Sequence, residues 1–171
     1  MATIEAIATT YLEADAASVT FSSIPSTFEH LQLRASHRGS QASTGFSFHA
    51  QLNSDTGTNY TEHRILAYSG TGKLAQAYTG QDALDLGTAT GTSNPSTEYV
   101  SLLVDFLDYA NTNKYTTVRN CNGKVVTSST DMVFGSGLWL NTAAVTTIKV
   151  YFNLGNIARG SEFTLYGLNS S

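Results

Sequence analysis

Apolar and polar residues alternate with a period of two along most of this chain, and the 3.6-residue period of an amphipathic helix is almost absent. In ASVTFSSIP, Val19 and Phe21 share one face, Ser18, Thr20 and Ser22 the other, and Pro25 closes the strand. FEHLQLRASHRG sets Leu31, Leu33 and Ala35 against His30, Gln32 and Arg34. FSFHAQLN aligns Phe46, Phe48, Ala50 and Leu52, and HRILAYSG is a shorter strand ended by Ser69, Gly70 and Gly72. From about Gly80 to Ser96 the pattern lapses into Gly, Thr, Asp and Asn, which predicts a long loop or a weak strand pair at 80–96.

Alternation resumes in EYVSLLVDFLDYAN, where Val100, Leu103, Val104 and Leu107 also fit helical spacing; Tyr99, Val100 and Phe106 favour a strand. YTTVRNCNGKVVTSS predicts a hairpin turning at Asn122-Gly123, a pair suited to two positive-φ positions. DMVFGSGLWL follows, and in AVTTIKVYFNLG the residues Ile148, Val150, Phe152 and Leu154 share a face. The last strand, SEFTLYGL, puts Phe163, Leu165 and Gly167 opposite Thr164, Tyr166 and Leu168.

Eight to ten one-sided strands bury their apolar faces most simply as two packed sheets. The expected fold is therefore all-β: one domain over 1–171, a two-sheet antiparallel β-sandwich of jelly-roll type, with its final strand inserted beside an early one. Residues 1–15 read as a contact arm or an edge strand.

Composition sharpens this picture. Only 13% of the 171 residues are charged, about half the usual share, while 24 Thr and 19 Ser take over the polar faces. The formal net charge of −4, with nine Lys and Arg spread thinly, predicts no nucleic-acid partner. No run of about 18 apolar residues predicts a membrane span. Cys121 is the one cysteine, so no intrachain disulfide forms, and MATIEAIATT lacks the features of a signal peptide. Synthesis in a reducing cytoplasm is expected, and the sequons at Asn59 and Asn169 read as chance matches.

Candidate chemistry is sparse. His30, His37, His49 and His63 have no partner at metal-ligand spacing and read as solvated or hydrogen-bonded strand residues. Asp55, Asp82, Asp85, Asp105 and Asp108 fit no EF-hand pattern. SGTGKLA (Ser69 to Ala75) lacks the first glycine and the hydroxyl of a phosphate loop and reads as a glycine turn. Nothing around Cys121 marks a nucleophile. Trp139, between Leu138 and Leu140, reads either as core or as a sugar-stacking platform. No catalytic, cofactor-binding or metal-binding residue is assigned, no cofactor is expected, and the chain reads as a structural or binding module rather than an enzyme.

Two stretches go further. AASVTFSSIPSTFEHLQLRASHRG, with Val19 to Pro25, Phe28, Leu31, Leu33 and Arg38-Gly39, lies near the start. GLWLNTAAVTTIKVYFNLGNIARGSEFTLYGL, with Val145, Ile148, Val150, Gly160-Ser161 and Leu165 to Leu168, lies at the end. Together, over about a third of the chain, they resemble a family of small jelly-roll-like bacteriophage virion proteins. The resemblance implies a capsid decoration (cement) protein, or a tail-associated structural protein. Its partner would be the major capsid protein, its place the outer surface of the virion head, and its form a homo-oligomer, with a trimer favoured. A tail or fibre module that binds host-surface carbohydrate is the alternative.

Overall fold

The computed structural model describes residues 2–70 and 72–170, and every regular element among them is a strand. In chain order these are β1 (Thr3–Tyr11), β2 (Ser18–Phe21), β3 (His30–His37), β4 (Phe46–Leu52), β5 (Tyr60–Tyr68) and β6 (Gly72–Gln81). Then follow β7 (Leu84–Ala89), β8 (Val100–Leu107), β9 (Thr116–Val126), β10 (Ser129–Trp139), β11 (Ile148–Phe152) and β12 (Glu162–Asn169). They form a two-sheet antiparallel β-sandwich of jelly-roll type. The large sheet has eight strands in the order β1-β12-β3-β8-β9-β10-β5-β6, and the small sheet four, β2-β11-β4-β7. The chain leaves the large sheet for the small one and returns to it several times.

The core follows the alternation. Val19, Phe21, Phe48, Ala50, Leu52, Ile148, Val150 and Phe152 of the small sheet pack on Leu31, Leu33, Val104, Phe106, Val118, Phe163 and Leu165 of the large one. Burying a single such side chain is worth about 1.5–3 kcal/mol, so this layer is the main source of stability. The last strand sits between β1 and β3, pairing with both, which ties the end of the chain to its beginning. The stretches around Phe28 and Gly167 meet there. Glu29 N–H donates to Leu168 O at 3.0 Å, and a Cβ on Gly167 would run into the Phe28 ring.

Four expectations need correction. The described residues form twelve strands, more than the eight to ten expected from alternation. The segment 80–96 holds the end of β6 and the whole of β7, so only its second half is loop. Asn122-Gly123 is no turn: β9 runs straight through it, paired on both sides, and the chain reverses at Thr127-Ser128. Leu154 is 56% exposed because β11 stops at Phe152. The doubtful segment at 100–107 is strand, and residues 3–11 form an edge strand. Ser69 and Gly70 lie in the turn between β5 and β6, while Gly72 to Ala75 already belong to β6; Thr71 lies outside the described residues.

Candidate binding face

The eight-stranded sheet is wider than the four-stranded one that covers it, and its outer face is open. Antiparallel register lines up side chains across all eight strands. One row runs Ala75, Ile65, Phe134, Cys121, Leu103, Arg34, Thr164, Thr9. Its first half is apolar and exposed: Ile65 is 58% and Phe134 55% exposed, with Met132 beside them at 51%. Beyond Leu103 it turns polar, with Arg34, Thr164 and Thr9.

The neighbouring row carries a ladder of hydrogen bonds. Asp105 accepts from Gln32 Nε2 on β3 at 2.7 Å and from Arg119 Nε on β9 at 2.7 Å, which satisfies both carboxylate oxygens although the residue is buried. Gln32 in turn accepts from Arg34 Nε at 2.8 Å, and the Arg34 guanidinium lies 4.9 Å from the centre of the Tyr166 ring. Between these groups a shallow groove of about 450 Å³ is lined by Arg34, Ser36, Ser101, Glu162, Thr164 and Tyr166, among others. Groups that already hold one another in place lose little entropy when a ligand arrives. The face therefore offers an apolar band and a fixed polar platform side by side.

A second polar cluster lies under the overhang of β5 and β6, beside the edge of β7. Arg64 pairs with Asp85, and Glu62 accepts the Asp85 N–H at 2.7 Å. Burial pushes the Glu62 carboxyl above its ordinary value and lowers His49 below its own. The charges there are spent on one another and on backbone, which makes the cluster a structural joint.

The other residues singled out in the sequence are scattered. Trp139 is 1% exposed and donates its indole N–H to Asp55 at 2.7 Å, so it is core and no sugar platform. Asp55 also accepts from Asn59 and from Gly57 N–H, which fixes the turn before β5. Asp108 pairs with Lys114 and lies 3.4 Å from His30 Nδ1. His63 is exposed on the outer face, and Cys121 is half-buried there. His37 departs from expectation: neither solvated nor hydrogen-bonded, it lies fully buried, stacked on Phe48 at 4.4 Å between centroids. Among the described residues no three His, Cys, Asp or Glu side chains gather as a metal site.

Sequence reasoning named Arg38-Gly39 only within the stretch near the start and missed what Arg38 does. Its buried guanidinium donates to Pro95 O at 2.6 Å, Gly91 O at 2.9 Å and Asn94 O at 3.3 Å, so one side chain holds the loop after β7. An Arg beside Gly at a strand end reads as a solvated turn, and no local signal distinguishes the two.

No protein-family model and no curated protein sequence matches the chain. Among solved structures it is similar to the galectin LEC-6 of Caenorhabditis elegans, at 8% identity and a TM-score of 0.36, covering 95% of this chain and 96% of that one. It is also similar to domain 4 of AbnA, an extracellular GH43 arabinanase of Geobacillus stearothermophilus solved with arabinotriose. There the identity is 13% and the TM-score 0.37, over 99% and 84% of the two chains. A human SPRY domain follows at 10% identity and a TM-score of 0.23, over 93% and 96%. Likeness at this level identifies no family and says nothing of a ligand.

Proposed function

We propose that this chain is a capsid decoration protein of a tailed bacteriophage, made in the host cytoplasm and seated as a symmetric homo-oligomer on the outside of the assembled head. The observation that carries the reading is the outer face of the eight-stranded sheet: broad, open, and divided between the apolar band around Phe134 and the ladder centred on Asp105. Such a face suits a protein surface better than it suits a small molecule, which binds in an enclosed, largely apolar pocket. The hydroxyl-rich composition supports it too, since copies packed closely on a shell repel one another less when few residues are charged. The major capsid protein is the partner in this reading. Its mechanism is added interface area multiplied by copy number, without catalysis.

The second reading, a tail or fibre module for host-surface carbohydrate, is favoured by the groove beside Tyr166, where an aromatic ring adjoins Arg34 and Glu162. Mixing the purified protein with mature heads stripped of decoration separates the two. The decoration reading expects saturable binding and a higher temperature of DNA release. A protein that ignores heads and binds host cells or their polysaccharide belongs to the tail.

A further inference from the structure

β6 is the outermost strand of the large sheet, with β5 as its one neighbour. Its other side presents unpaired backbone N–H and C=O groups, a template that monomeric proteins normally disarm with proline, charge or a bulge. The opposite edge is disarmed in this way: β1 carries Glu5 and a register shift between Ala6 and Ala8, in the middle of the strand. The β6 edge is not. From Gly72 to Tyr78 its register is unbroken, the irregularity falling beyond Tyr78, and within that stretch Lys73 is the only charged residue and proline is absent.

The central five residues of that edge are symmetric in character. In Leu74-Ala-Gln-Ala-Tyr78 small residues flank Gln76 on both sides and a large apolar or aromatic residue follows at each end. We propose that β6 pairs antiparallel with β6 of a second copy of this chain, about a two-fold axis through Gln76, joining the two large sheets into one. Ala75 then lies opposite Ala77 of the mate and Leu74 opposite its Tyr78, each pair formed twice, as an isologous contact requires. Lys73 falls toward the irregular end of the mate's strand past Tyr78, so no like charges meet; a slip that brought Lys73 against itself would be repelled.

Both sheet faces gain from this register. Leu74, 42% exposed, gains an aromatic neighbour of the kind that stabilises strand pairs. On the outer face Ala75, in the row of Ile65 and Phe134, meets Ala77 of the mate, so two small side chains face each other at each side of the axis. Gln76 Oε1 already accepts from Arg64 Nε at 3.1 Å, which holds the axial side chain in place before the mate arrives.

The proposal does not depend on the decoration reading, because the pairing needs no capsid and no glycan. Sedimentation of the full chain at rising concentration should give a two-copy species. The double variant A75K/A77K sets an ammonium group opposite an ammonium group of the mate, twice, and should abolish that species, with a folded strand spectrum retained. A75K/A77E changes the same two positions but sets an ammonium group opposite a carboxylate each time, and should restore pairing. A parent that stays monomeric at its solubility limit overturns the proposal, and so does a trimer in place of pairs. Assembly of A75K/A77K like the parent overturns it as well. If A75K/A77E stays as monomeric as A75K/A77K, the register about Gln76 is wrong.

Discussion

His37 is the residue whose chemistry and surroundings disagree most. Both ring nitrogens lack a hydrogen-bond partner, and the ring packs among Phe48, Phe152 and Phe163. Burial lowers its pKa from the ordinary 6.5 to about 3, so the folded protein keeps it neutral where the unfolded chain takes up a proton. Stability from this residue is therefore complete above about pH 6.5 and is lost as pH falls toward 3, at about 1.4 kcal/mol per pH unit. The variant His37→Phe keeps the stack and removes the proton site. Urea midpoints at pH 7, 5 and 4 should fall less steeply for the variant than for the parent, and parallel curves would mean that the ring charges inside the fold. Along β3 His37 shares the parity of Leu31, Leu33 and Ala35, so the alternation alone sets it on the inner face, opposite to His30. Trp139 is marked in the same way. Val133, Gly137 and Trp139 share one parity along β10, and that parity already points inward. The flanking leucines hid it, because Leu138 and Leu140 look like core themselves.

At the scale of elements, strands with one clean apolar face were legible, and the strands that escaped are those stabilised otherwise. β7 is the clearest case. Its outer edge is capped by side chains of β9: Asn120 Nδ2 donates to Leu86 O at 2.9 Å, and Asn122 Nδ2 to Thr88 O at 3.0 Å. Asn122 Oδ1 accepts the Thr88 N–H at 3.2 Å, so one amide stands in for a neighbouring strand. Gly87, at a φ of 123°, makes room, since a Cβ there would lie 2.6 Å from Asn122. The same Asn122 suggested a hairpin turn; pairing along the whole of β9 overrides that local preference. Replacing Asn122 by Ala leaves Thr88 N–H and C=O without these partners, at a cost of about 1–3 kcal/mol. Hydrogen exchange should quicken at Thr88 while Leu33 and Val104 amides, deep in the large sheet, keep their protection relative to global stability. Uniform acceleration across both sheets would show that β7 has no separate joint.

For the whole molecule, the consequential question is which surface would meet the proposed partner. The sandwich fold was legible because burial is shared among many residues. The candidate face was not, because it is assembled by register: Ile65, Phe134, Cys121 and Leu103 come from four strands and are unremarkable in each. Their exposure gives a direct test. Substituting Ile65 and Phe134 together by Lys changes two side chains that are already more than half exposed, so melting should move little, as surface changes usually cost within about 0.5 kcal/mol. On the decoration reading the same variant loses affinity for stripped heads, because two ammonium groups now have to be desolvated in an apolar contact. Tyr166→Ala, in the groove beyond the band, should leave head binding largely intact. The reverse result, heads ignored by every variant and polysaccharide binding lost only with Tyr166→Ala, would move the functional surface to the groove and the protein to the tail.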